Sequence, residues 1–170
     1  RPYYYSVFFH NEKIKTELTA TNSGSLFRLH YADRENAYLI IDAFHGDGML
    51  ELDLKKGEIT GHSKWYAPNN KAKLPANFAT HFVIKFDQEV LEYGVYNKNA
   101  PVPNQTSIKG TNVGMYVRFK LTPQNEAYVR VASSFIGPRQ AKVNFDREIG
   151  KKKFDDLTQE NKQAWSKLMN

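Results

Sequence analysis

The sequence predicts an all-β fold: an antiparallel β-sandwich that ends in helices. Short segments alternating apolar and polar residues, bounded by turn signals, recur up to about residue 135. That period of two is the mark of a strand with one buried face. Beyond it the period changes to that of a helix. Aromatic residues make up 14% of the chain, with 10 Tyr and 11 Phe, and these side chains suit a pleated, half-buried surface.

The elements follow in order. Residues 3–9 read as a strand whose Tyr3, Tyr5, Val7 and Phe9 share a face, and His10-Asn11-Glu12 is the turn after it. Residues 14–21, with Ile14, Thr16, Leu18 and Ala20 on one side, and residues 25–31, with Phe27, Leu29 and Tyr31, complete a three-stranded meander. Residues 36–44 contain the continuous apolar run Tyr38-Leu-Ile-Ile41, which predicts a strand covered on both faces. Asp47-Gly48 reads as a hairpin turn, because glycine accepts positive φ. Strands over 49–54 and 58–65 follow, joined at Lys56-Gly57. Residues 66–77 hold Pro68, Asn69, Asn70 and Pro75 without any period and read as a surface loop.

Residues 79–86 are a strand, with 90–96 as its expected partner. Pro101 and Pro103 mark 97–109 as a second irregular loop. Over 110–135, Val113, Met115, Val117 and Phe119 alternate with polar residues; so do Ala127, Val129 and Val131 after a turn at Pro123 and Asn125. This reads as a long antiparallel hairpin around which the other strands pack. Gly137-Pro138 then opens a helix, proline at the first helical position sacrificing no hydrogen bond. Ala141, Phe145 and Ile149 recur at helical spacing up to Gly150. A last helix covers 156–169, capped by Asp155, with Phe154, Leu157, Ala164, Trp165 and Leu168 largely on one side. The predicted organisation is a β-sandwich domain over 1–150, ending in a short helix, and an amphipathic connector helix over 151–170. The apolar side of that connector suits both packing back over the sheet and reaching towards a further domain.

Composition narrows the function. A chain of 170 residues can bury roughly 70% of its unfolded surface in one domain. With no cysteine, disulfides, thiolate metal sites and a cysteine nucleophile are excluded. No apolar run is long enough to cross a bilayer. The net charge of +6 is dispersed rather than gathered on one face, so no nucleic-acid partner is expected. Arg1-Pro2 leads almost directly into a strand, with neither an initiating methionine nor a signal peptide, so the chain is expected to start inside a longer protein.

Side chains capable of chemistry are sparse. Asp42, Asp47, Glu51 and Asp53 are close in sequence, but they end a strand, sit in a turn and lie on a wet face, which does not suggest a paired acid and base. His10, His30, His45, His62 and His81 lack ligand spacing. Asn104-Gln-Thr106 fits a glycosylation sequon, a pattern common by chance. The feature that suits sugar contact is Trp65-Tyr66 at a strand end: an aromatic face can cover a pyranose while Asn69 and Asn70 bond its hydroxyls. Packing of the loop edge is the competing role for this pair. No catalytic and no metal-binding residue is assigned.

Several phrases, in order, carry a family resemblance. Tyr4-Tyr-Ser-Val7, Ile14-Lys-Thr-Glu-Leu-Thr-Ala-Thr21, Tyr38-Leu-Ile-Ile-Asp42 and Ile59-Thr-Gly-His-Ser63 resemble the sandwich domain of glycoside hydrolase family 92. The similarity continues through Phe82-Val-Ile-Lys-Phe86 and Tyr93-Gly-Val95. It is strongest at Val131-Ala-Ser-Ser-Phe-Ile136 with Gln140-Ala141, then Phe154-Asp155 and Ala164-Trp165. The resemblance implies a supersandwich of the galactose-mutarotase-like type, N-terminal to a helical toroid. It implies a parent that is an exported, bacterial, calcium-dependent, inverting exo-α-mannosidase acting on mannose-containing glycans, with α-1,2 linkages among the candidates. In the family the catalytic carboxylates and most calcium ligands belong to the toroid, so this stretch is expected to be a scaffold with no cofactor of its own. The alternatives are a stand-alone carbohydrate-binding module and a protein-interaction sandwich.

Overall fold

The computed structural model describes residues 1–42, 46–64, 78–98 and 100–169. Two antiparallel sheets face each other across one core, and two helices cover the outside of the larger sheet. The strands are β1 (Tyr5–Phe9), β2 (Ile14–Ala20), β3 (Gly24–Tyr31), β4 (Tyr38–Asp42), β5 (Asp47–Asp53), β6 (Glu58–Lys64), β7 (Thr80–Phe86), β8 (Val90–Asn97), β9 (Ala100–Pro103), β10 (Ser107–Thr111), β11 (Val113–Phe119) and β12 (Glu126–Ser134). The helices are α1 (Pro138–Glu148) and α2 (Phe154–Met169). The eight-stranded sheet runs β1-β2-β3-β12-β7-β6-β5-β10, and the four-stranded sheet runs β4-β11-β8-β9.

The predicted meander is present as β1, β2 and β3, in register from Tyr5 opposite Leu18 and from Ile14 opposite Tyr31. The predicted central hairpin is not. Its two arms, β11 and β12, lie in different sheets and meet across the core. Val113, Met115, Val117 and Phe119 are fully buried on one side, facing Ala127 and Val129 on the other. Both arms carry an apolar face, and stacking the two faces across the core shields each with the other. Asn125, at φ +63°, lets the chain change sheets: its amide donates to the Thr122 carbonyl at 3.0 Å. Asn tolerates that left-handed conformation better than most residues. Phe86 of β7 and Phe119 of β11 close the core between the sheets, with ring centroids 5.1 Å apart.

Three other expectations are corrected. β8 pairs with β11 and β9, not with β7. Asp47 and Gly48 are strand residues of β5, paired with Lys64 and Ser63, and form no turn. Strand β4 is an edge strand whose outer residue Ile40 is 67% exposed, so it is covered on one face only. The proline-rich stretch 97–109 also holds two strands, β9 and β10, each at a sheet edge. Proline cannot donate to a ladder and is tolerated at an edge, which is why Pro101 and Pro103 could hide a strand from the sequence reading.

Helix α1 begins at Pro138 as predicted, and its amphipathic side carries Ala141, Phe145 and Ile149 onto Val83 and Ala132 of the large sheet. Gly150, at φ +47°, ends it by donating its amide to the Phe145 carbonyl at 2.8 Å, a left-handed termination that glycine adopts without strain. Helix α2 packs through its first turns only. Phe154 and Leu157 bury against Leu26, and Asn161 donates to Thr19 Oγ1 and to the Ala20 carbonyl. Leu168 and Met169, at its far end, are 79% and 78% exposed. No helix among the described residues is long and apolar enough to cross a membrane.

Candidate functional site

Two places bring chemically capable side chains together, one on the outside of each sheet. On the large sheet, the first turns of α2 roof over β2 and β3. Glu17 of β2 lies beneath this roof, 3% exposed. Its carboxylate accepts from Tyr4 Oη at 2.5 Å and from Arg28 Nε and Nη2 at 2.9 and 3.2 Å; His30 Nε2 stands 2.8 Å away. Burial alone would raise the Glu17 pKa. The hydrogen bonds from Arg28, Tyr4 and His30, with the Arg28 charge, outweigh it and hold the carboxyl well below the usual carboxylate range. The group is therefore an ionised anchor rather than a proton donor near neutrality. Arg28 continues outwards to Asp155 at 3.2 Å and lies 4.4 Å above the Phe154 ring, which clamps the start of α2. Behind it, His30 Nδ1 stands 3.3 Å from Glu126, which accepts from Tyr128 Oη at 2.5 Å. Burial and that bond push the Tyr128 hydroxyl up to about 12.

The second place is the outer face of the small sheet. Register sets Tyr96 directly opposite Gly114 and Tyr116 directly opposite Gly94, so each ring leans over a glycine on the next strand. A β-carbon at Gly114 would sit 2.0 Å from Tyr96 Cζ, and one at Gly94 would sit 2.4 Å from Tyr116 Oη. The rings therefore lie down on the sheet. Tyr38 stands beside Tyr116 with centroids 6.3 Å apart, and Ile40, Asp42 and Pro101 border a shallow groove of about 520 Å³. Its far end is polar: Glu92 accepts from Tyr38 Oη at 2.7 Å and from Arg118 Nη2 at 2.5 Å.

The candidate sugar contacts Trp65 and Tyr66, with Asn69 and Asn70, lie outside the described residues, as does His45. The four acids close in sequence are not gathered: Asp42 is in the small sheet, while Asp47, Glu51 and Asp53 are on β5 of the large one. Asp53 caps the β5–β6 turn, accepting from the Lys55 and Lys56 amides and from Lys56 Nζ. His62 and His81 are cross-strand neighbours with ring centroids 5.7 Å apart, a pairing no sequence spacing announced. Among the described residues no group of three His, Asp or Glu side chains is arranged to hold a metal ion. Sequence reasoning missed the Glu17 cluster and the tyrosine platform. The alternation in β2 put Glu17 on the wet face, where Tyr4, Arg28 and His30 close around it and α2 packs over Arg28. The platform did leave a signal, glycine and tyrosine in alternation on two strands, Tyr93-Gly-Val-Tyr96 and Gly114-Met-Tyr116.

Comparison with known proteins adds what geometry does not supply. The profile of the glycosyl hydrolase family 92 N-terminal domain matches residues 1–134. An inverting mannosidase of family GH92 from Bacteroides thetaiotaomicron superposes with a TM-score of 0.89 and 31% identity over 98% of this chain. A second GH92 alpha-mannosidase from the same organism, solved with mannoimidazole, has a TM-score of 0.80 at 21% identity over 97% of this chain, a likeness of fold. The chain spans only 22% of the length of each of these two proteins. No curated protein matches it.

Proposed function

The chain belongs to glycosyl hydrolase family 92, as its N-terminal domain, and on that premise we propose that it serves as a non-catalytic scaffold of an exo-acting α-mannosidase. The observation that carries the proposal is the disproportion of the match. Nearly the whole chain superposes on an inverting mannosidase of which it accounts for 22%. The proposed parent is exported, inverts the anomeric centre and requires calcium. Inversion needs one carboxylic acid to protonate the leaving oxygen and a second carboxylate to activate water on the opposite face. No such pair is assigned among the described residues, where the buried carboxylate, Glu17, is neutralised by Arg28 and spent on holding α2. No calcium ligand is assigned among them either, and the metal is proposed to belong to the remainder of the enzyme.

What this chain's own residues do under that reading is mechanical. The Arg28–Glu17–Asp155 cluster fixes the direction of α2, and the cross-sheet core holds the sandwich rigid behind it. The test is turnover of an aryl α-mannoside. The 170-residue chain is expected to be inactive, while the longer enzyme that contains it is active and loses activity to a calcium chelator. Hydrolysis by the 170-residue chain alone would overturn the proposal.

A further inference from the structure

We propose that the outer face of the small sheet is a saccharide-binding platform, on which a pyranose packs face-on across Tyr96 and Tyr116. Both helices cover the large sheet, so among the described residues no helix packs on this face. Its floor is built for flatness. Gly94 and Gly114 clear the volume that the two rings occupy, and a ring lying against a strand turns its π face outwards. One face of a pyranose is a sheet of C–H bonds, and its rim is a ring of hydroxyls. That shape calls for an aromatic floor with donors and acceptors around it. The groove supplies both: Tyr38, Ile40 and Pro101 extend the apolar floor, Asp42 borders one end, and at the other Tyr38 donates its hydroxyl to Glu92, which Arg118 holds from behind.

The groove volume of about 520 Å³ lies in the range of small-ligand sites. A peptide strand adding at the β9 edge is disfavoured, because Pro101 and Pro103 interrupt the row of amide donors there. A neutral polyhydroxyl ligand also fits the charge balance at the Tyr38 end of the groove, where Glu92 and Arg118 neutralise one another. The platform stands on this geometry alone; the choice of mannose as the first sugar to try rests on the family reading above.

The test is a titration of the isotope-labelled 170-residue chain with α-mannotriose, and separately with cellotriose and maltotriose, followed by amide shifts. The expected result is saturable shifts centred on Gly94 and Gly114 at millimolar sugar. Tyr96→Ala and Tyr116→Ala should each weaken binding by about tenfold, roughly 1.4 kcal/mol. Tyr96→Phe and Tyr116→Phe keep the floor and should retain most of the affinity. Ile40→Lys, at a position 67% exposed, should keep the fold and weaken binding even where an alanine variant does not fold. Saturation by cellotriose or maltotriose but not by mannotriose supports the platform and counts against the mannosidase reading, so the two fail separately. Absence of saturable binding to all three sugars overturns the platform. So does binding that Tyr96→Ala, Tyr116→Ala and Ile40→Lys leave unchanged, or a concentration-dependent dimer that Ile40→Lys abolishes in place of sugar binding.

Discussion

At the scale of single residues, Glu17 sets the pH behaviour of the fold. Its carboxyl pKa is lower in the folded chain than the ordinary 4.5. The stability it contributes is therefore fully present above that value and is lost as pH falls towards the folded pKa. Glu17→Gln should cost about 3 kcal/mol near neutrality, because Arg28 loses its buried charge partner under α2 and keeps only the exposed Asp155. The gap between variant and parent should then narrow as the pH drops below about 4.5. Urea midpoints across a pH series would show this, and a gap that stays constant down to about pH 3 would refute the account. Glycines give a second, graded prediction. A β-carbon at Gly61 would meet the Met49 carbonyl at 2.1 Å, a backbone atom that cannot swing aside. At Gly114 it meets the end of the Tyr96 side chain, which can. Gly61→Ala should therefore cost about 3 kcal/mol and Gly114→Ala about 1, as read from thermal or urea denaturation.

At the scale of elements, α2 divides into a docked half and a free half. Leu157 is 1% exposed among Leu26 and Phe154, while Leu168 is 79% exposed. Leu157→Ala should destabilise by roughly 3 kcal/mol and speed amide exchange along the helix. Leu168→Ala should stay within about 0.5 kcal/mol of the parent. Equal effects at the two positions would mean that the helix end is packed in solution. This division also marks what the sequence could tell. The helical period placed Phe154 and Leu157 on one side, and the strand periods located the meander, β5 to β8 and both arms over 110–135. Pairing was less legible, because alternation reports that a face is buried and not what buries it. Val113 to Phe119 alternate in the same way whether β12 lies beside them or opposite. Glu17 and Thr19 looked wet because the helix that covers β2 arrives more than a hundred residues later, through the bonds of Asn161 and the clamp of Arg28 on Phe154. The tyrosine platform needed the register of β8 on β11 before alternating Gly and Tyr became two covered glycines.

At the scale of the whole molecule, the two sheets share one core and should unfold as one unit. The buried cluster takes Leu29, Leu50, Ile59, Phe86 and Val129 from the large sheet and Val95, Met115 and Phe119 from the small one, in continuous contact. The chain also threads between the sheets, β10 passing to β11 with only Asn112 between them. Neither sheet can leave without exposing the apolar face of the other, which is the condition for an all-or-none transition. Phe119→Ala, at a fully buried position against Phe86, should therefore cost about 4 kcal/mol. It should shift far-UV and near-UV transitions together, with no change in the urea m-value. Separate transitions for the two signals would mean that the small sheet is held by something beyond this core. A scaffold of the proposed kind has to pass this test: a wall whose sheets slipped independently could fix neither the direction of α2 nor the floor formed by Tyr96 and Tyr116.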